Sequence, residues 1–365
     1  MKQFPLILSL NLIISLLAGC AGTPVVYYTN CTCPADAHTA PVVDVPATTP
    51  VVNEEPVLAE GALKTGLAIS TSVKKSAAAT AEADGKADYD VTMVAVLVDD
   101  NGIIRDCIID GIASSIAFDA NGAFVAELTA PQTKNELGEN YGMVAWGGAI
   151  AEWDAQAAAL ANFAVGKTVE ELRTGAVSET GYAPEGSDLA SSATIYLGGY
   201  VGAIELAVAN AQHLGAQSGD ALKMAAITGV GDSAAADAEN AGVAQLNVDV
   251  TALTMKDGKI TSCAIDSVQA KVKFDNKGAI TSDVSAPVAT KNELGENYGM
   301  VAWGGAIAEW DAQAAAFASY VTGKTADEVA GIAITEATKP ADADLAASVT
   351  ISVIGFMNLV TKAAQ

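Results

Sequence analysis

The chain has 365 residues, 51% of them hydrophobic but only 5% aromatic, so Ala, Val, Ile and Leu must fill its cores. Acidic residues number 43 and basic ones 19, a formal charge of −24, which argues against nucleic acid or an anionic lipid surface as partner, since both need clustered Lys and Arg. Two histidines, His38 and His213, are too few for a His-rich metal centre or a Ser/His/Asp triad in each of two domains, and five cysteines are too few for a disulfide-stapled scaffold.

Residues 1–19 carry one Lys and then an apolar run, too short for a committed spanning helix and typical of a secretion signal. The run ends in Leu17-Ala18-Gly19-Cys20, which resembles the lipobox of bacterial lipoproteins. That resemblance implies cleavage before Cys20, a diacylglyceryl thioether on Cys20, and a lipid-anchored chain outside the cytoplasm, in the cell envelope. An ordinary cleaved signal with a chance Cys is the alternative. Residues 20–60 hold Pro24, Pro34, Pro41, Pro46, Pro50 and Pro56, a density that favours an extended, semi-rigid linker. Cys31, Cys33, Asp36 and His38 fall within it, but Cys-Thr-Cys is too closely spaced for a zinc knuckle and no metal site is expected.

The 27 residues 133–159 recur without a change at 290–316, 157 residues further on. Looser matches flank them: Cys107 with Cys263, Asp110 with Asp266, Phe118 with Phe274, Gly166-Lys167-Thr168 with Gly323-Lys324-Thr325. A period this long points to domain duplication and not to a solenoid. The expected boundaries are 61–212 and 221–365, joined through residues 213–220. The expected fold class is α+β: two tandem duplicated domains, each an antiparallel sheet packed with helices.

In each copy the alternating, β-branched runs 90–98 and 247–254 predict strands. Asp100-Asn101-Gly102 and Asp257-Gly258 predict hairpin turns, with 103–110 and 259–266 returning. Asn121-Gly122 and Lys277-Gly278 mark a further hairpin. Trp146, Ile150, Trp153, Ala157 and Leu160 lie on one face of a predicted helix, as do Trp303, Ile307, Trp310, Ala314 and Phe317. That face packs on the sheet, with one Trp per copy open to a role in a ligand cleft. Gly-Lys-Thr is not a phosphate loop, because Ala161 and Ala318 stand where that loop needs Gly. Thr168 and Thr325, with Glu171 and Glu328 three residues on, predict capping boxes. Cys107 and Cys263 read as buried small hydrophobes.

Near the end of each copy an Asp precedes a Thr by six residues, ahead of an apolar helical stretch: Asp188 to Thr194 and Asp344 to Thr350. A Thr hydroxyl in the first turn of a helix would face free backbone N–H groups, a natural phosphate position. Here the chain resembles the FMN-binding domain of bacterial cell-envelope redox proteins, whose Asp-x-x-Ser/Thr-Gly-Ala-Thr motif takes FMN on its last Thr through a phosphoester made by a flavin transferase. The resemblance carries over to Asp188, Ser191, Ala193 and Thr194, with Ser192 where the family has Gly. In the second copy Asp344 and Thr350 remain, with Ala347, Ser348 and Val349 between. Glu136, Leu137 and Gly138, and Glu293, Leu294 and Gly295, resemble a shortened form of the family's Glu-Thr-Pro-Gly-Leu-Gly loop. The resemblance implies FMN on Thr194, less completely on Thr350, with the catalytic chemistry supplied by the flavin and no catalytic residue in the protein. Redox donor and acceptor proteins or membrane quinone would be its partners. The competing expectation is a cofactor-free surface lipoprotein whose duplicated domains bind a partner or small ligand.

Overall fold

The computed structural model describes residues 61–365. The signal, Cys20, the proline-rich linker and the Cys31–His38 cluster lie outside the described residues. The chain is a mixed α/β protein with two three-stranded antiparallel sheets and, among the described residues, eleven α-helices. In the first half, β1 (Lys64–Ser72), β2 (Gly85–Val98) and β3 (Ile104–Phe118) are followed by α1 (Lys134–Leu137), α2 (Met143–Gly147), α3 (Trp153–Ala164), α4 (Val169–Ala176) and α5 (Gly198–Ala209). In the second, β4 (Ala221–Gly229), β5 (Gly242–Lys256) and β6 (Lys259–Phe274) precede α6 (Lys291–Leu294), α7 (Met300–Gly304), α8 (Trp310–Val321), α9 (Ala326–Ala330), α10 (Ala343–Ala346) and α11 (Ile354–Ala364). Each sheet runs in simple sequence order, β1-β2-β3 and β4-β5-β6. No helix among the described residues is long and apolar enough to cross a membrane.

Alternation along the strands decides what each sheet face meets. On β2, Ala87, Tyr89, Val91, Met93, Ala95 and Leu97 enter one buried cluster with Leu246, Val248 and Val250 of β5, so the two sheets bury one core between them. The opposite face of β2, with Val94, Val96 and Val98, packs on Trp153, Leu160, Leu197 and Ile204 from the helices. In the second half Leu253, Ile260 and Ile265 meet Trp310, Phe317 and Leu359 in the same way. The connection between the halves also lies against them: the Gln212 N–H donates to the Thr65 carbonyl at 3.1 Å and the Leu63 N–H to the Ala216 carbonyl at 2.9 Å.

The strands are longer than the sequence patterns predict, and β1 and β4 carry no alternation that would have marked them. β1 is buried along five consecutive residues, which erases the period of two. The Asn121-Gly122 and Lys277-Gly278 turns form, but the chain returns through single bridges, Phe118 to Phe124 and Phe274 to Ile280, and not through strands. The long tryptophan helix is a correction. Gly148 and Gly305, both at φ 61°, end α2 and α7, so α3 and α8 start only at Trp153 and Trp310. Trp146 and Trp303 do not pack on the sheet: they are 89% and 90% exposed.

Candidate functional site

Asp188 precedes the 3-10 turn Leu189–Ser191, and the Ser191 hydroxyl donates back to the Asp188 carbonyl at 2.7 Å. Thr194 is not in the first turn of a helix, contrary to the sequence expectation, because α5 begins four residues later. A single buried side chain organises this stretch. The Gln156 Oε1 accepts from the Thr194 N–H at 2.8 Å, the Ile195 N–H at 3.2 Å and the Thr194 hydroxyl at 3.2 Å. Gln156 is fixed in turn by its own Nε2, which donates to the Ala151 carbonyl at 2.8 Å. At the start of α5 the Leu197 and Gly198 N–H groups both donate to the Gly181 carbonyl. These amides are therefore spent on the protein, and the open N–H cradle expected for a phosphate is not formed at this loop.

The second half repeats the device. The Gln313 Oε1 takes the Thr350 N–H at 2.8 Å and the Thr350 hydroxyl at 3.4 Å, and α11 starts four residues on. Asp344 lies in α10, whose cap is Asp342: its carboxylate accepts the Asp344 and Leu345 N–H groups. Thr194 is exposed and Thr350 half-buried.

Glu136 and Glu293 are drawn into a different region. Each closes a capping box, accepting the N–H of Thr133 or Thr290 on its Oε2, with Gly138 and Gly295 ending the helix at φ 48°. Glu136 then meets the other half: its Oε1 accepts from the Lys362 ammonium of α11. Partial burial pushes the Glu136 carboxyl up, but Lys362 and the Thr133 N–H outweigh it and hold it below the usual carboxylate range. Glu293 instead lines an open groove.

That groove, about 970 Å³ in volume, runs between β1 and α5 of the first half and β6, α6 and α8 of the second. Its apolar wall includes Leu67, Ile69 and Leu206, and its charged residues are Asp266, Glu293, Asp311 and His213. His213 Nε2 is itself paired with Asp100 at 2.9 Å. Asp266 is buried, and its Oδ1 accepts the N–H groups of Ser267 at 2.7 Å and Asn292 at 3.1 Å. Burial, with the negative charge of Glu293 adding, pushes its carboxyl up to about 6 against the hydrogen bonds that lower it.

Two further features escaped the sequence reading. Lys134 is buried, with its ammonium 4.7 Å from the Trp153 ring centroid and 5.4 Å from that of Tyr141; the half-buried Lys291 makes the same cation–π contacts with Trp310 at 4.6 Å and Tyr298 at 5.4 Å. Burial lowers the pKa of both ammonium groups. Cation–π packing of a helix-start lysine has no signature in sequence spacing. The exposed tips are the second feature. The Glu152 carboxylate accepts the Met143 N–H at 2.8 Å and the Val144 N–H at 3.0 Å, which braces the start of α2, the short helix carrying Trp146; Glu309 does the same for α7 and Trp303. Cys107 and Cys263 are buried free thiols, each pushed up to about 12 by burial, so both stay protonated and unreactive.

No known protein family, curated protein or solved structure matches the chain.

Proposed function

We propose that this chain is an exported, lipid-anchored binding protein of the cell envelope, with a signal over residues 1–19, an anchor on Cys20, a proline-rich tether, and a duplicated body that takes a small ligand between its halves. The observation that carries this reading is the groove at Glu293 and Asp266. Its volume of about 970 Å³ is that of small-molecule sites, and it combines an apolar wall with a few convergent polar groups and one carboxyl of strongly shifted pKa. Screening a library of small neutral and charged compounds by the methyl signals of Ile69 and Ile265 tests it. Compounds that shift these two methyls and leave the methyls of α4 and α9 unmoved are the expected result; a library with no such compound refutes the reading.

A flavoprotein-type electron carrier is the second reading, and one observation favours it. Thr194 is an exposed residue on a loop held in one conformation by Gln156, whose Oε1 also accepts from the Thr194 hydroxyl, and an accessible threonine on a fixed loop is what a flavin transferase would need of its acceptor. In that case FMN would supply the redox chemistry, quinone or redox proteins would be donor and acceptor, and Thr194, Asp188 and Ser191 would form the attachment site, with Thr350 and Asp344 a weaker one. Glu136, Gly138, Glu293 and Gly295 would not take part: Glu136 is paired with Lys362, Glu293 lines the groove, and Gly138 and Gly295 end α1 and α6. Coexpression with a flavin transferase, followed by in-gel fluorescence of the denatured chain, tests it: a fluorescent band lost in Thr194→Ala supports the flavin, and a dark band together with no uptake of added FMN removes it.

A further inference from the structure

We propose that the groove takes a primary ammonium group on a flexible aliphatic arm, seated between the Glu293 carboxylate and the main-chain carbonyl of Ile69; the inference rests on the groove being a ligand site. The other side of the molecule provides the argument. Glu293 corresponds to Glu136, Ile69 to Ala226, and Leu206 of α5 to Lys362 of α11, by the same offsets that align the strands and helices of the two halves. Around Glu136 the place is filled: the Lys362 ammonium donates to the Glu136 Oε1 and, at 2.7 Å, to the Ala226 carbonyl. The lysine of one half is thus an internal ligand for the glutamate of the other.

Around Glu293 the same receptor is built and the lysine is missing. The Glu293 Oε2 accepts the Thr290 N–H at 2.8 Å, as Glu136 does with Thr133, which leaves its Oε1 without a partner among the described residues. The Ile69 carbonyl has the matching orientation. Alternate carbonyls of an edge strand point outward, and those of Thr65 and Leu67, four and two residues before it, accept from Gln212 and Asn210 on the open edge of β1. Leu206 contributes an apolar side chain where Lys362 would be, so the groove keeps the aliphatic wall and lacks the charge. The groove's other acids, Asp266 and Asp311, add negative potential, and neither Lys nor Arg lines it. An ammonium is compact and donates three hydrogen bonds, which suits one carboxylate oxygen and one carbonyl better than a planar guanidinium does.

A free alkylamine and a lysine side chain of a peptide share this chemistry. Pentylammonium and Nα-acetyl-lysine amide separate them when titrated into the full mature chain, read by the Ile69 methyl signal and by calorimetric stoichiometry. Tighter binding of the lysine amide assigns the site to peptide lysines, and tighter binding of pentylammonium assigns it to free amines. Wild type should bind one equivalent, Lys362→Leu two, and Leu206→Lys none, because the introduced side chain closes the groove as Lys362 closes its counterpart. Glu293→Gln should weaken binding about tenfold, the effect of losing one charge-assisted hydrogen bond. The Nε-acetylated lysine amide should not bind. If neither amine moves the Ile69 methyl at millimolar concentration while neutral compounds do, the ammonium assignment is wrong and the groove remains a ligand site; if no compound moves it, both fall. Unchanged affinity in a folded Leu206→Lys or Glu293→Gln chain also overturns the assignment.

Discussion

The ring of Phe118, at the end of β3, lies flat on the ring of Phe274, at the end of β6, with centroids 4.0 Å apart and planes 3° from parallel. The two residues hold corresponding positions in the two halves, so the contact is self-complementary, as at the axis of a two-fold dimer. Its surroundings are reciprocal too. The Ala79 N–H donates to the Gly278 carbonyl and the Ala236 N–H to the Gly122 carbonyl, both at 2.8 Å. Gly85 and Gly242 make room for the rings: a Cβ at either would fall 2.4 Å from the Phe118 or Phe274 ring.

Phe274→Ala should therefore cost about 3–5 kcal/mol, the range for removing a fully buried Phe. The loss should lower the stability of both halves together, in one urea transition, because one cluster contains residues of both sheets. Two separated transitions in wild type, or a variant that melts only one half, would show that the shared core does not couple them.

The sequence made the sheets, hairpins and capping boxes legible wherever one residue type has a local reason to be there. Asp257-Gly258 reads as a turn because few other pairs accept its geometry, and Thr168 with Glu171 reads as a cap because both partners are three residues apart. Gln156 was invisible for the opposite reason: its partners, Thr194 and Ile195, are 38 and 39 residues away, and a buried Gln on an Ala-rich helix leaves no local pattern. The groove was hidden one level further up. It exists only where the two halves meet, and the ammonium that fills the counterpart place comes from a single position, Lys362, whose match in the first half is Leu206. Trp146 misled because spacing alone cannot see that Gly147 and Gly148 interrupt the helix before its next turn.

Gln156→Ala should cost about 1 kcal/mol, since the part-buried Thr194 and Ile195 amides lose their acceptor. Hydrogen exchange offers a sharper check. These two amides should exchange faster in the variant, and those of β2 should keep their protection relative to global stability. Equal acceleration everywhere would mean that Gln156 acts through packing alone. The fully buried Gln313 should behave in the same way toward Thr350.

The four tryptophans divide into an exposed pair, Trp146 and Trp303, and a buried pair, Trp153 and Trp310. Acrylamide should quench one population strongly and leave the other nearly untouched. Trp146→Phe combined with Trp303→Phe should abolish the quenchable fraction and shift stability by no more than about 0.5 kcal/mol, as expected for exposed positions. Glu152→Gln should loosen the first tip, because the carboxylate holds two backbone N–H groups with charge-assisted bonds. A larger stability loss in the double variant would mean that the indole rings, which lie over Gly142 and Gly299, hold the tips together.

Asp266 links pH to stability with a definite sign. Its carboxyl is pushed from an ordinary 3.8 to about 6 by burial, so the folded protein holds this proton more tightly than the unfolded chain does. Its contribution is fully present below the unfolded value of 3.8, is lost as pH rises toward 6, and is absent above that. Asp266→Asn keeps the Oδ1 that accepts from Ser267 and Asn292 and removes the buried charge. At pH 8 the variant should be more stable than wild type by up to about 3 kcal/mol, the free-energy equivalent of a shift of about two pH units. The advantage should shrink as pH falls through 6 and be gone near 4, where wild type is protonated as well. Urea midpoints across this range read it directly. A pH-independent difference would mean that the substitution acts on the hydrogen bonds that Asp266 accepts, that of the Thr290 side chain among them, and not on the charge.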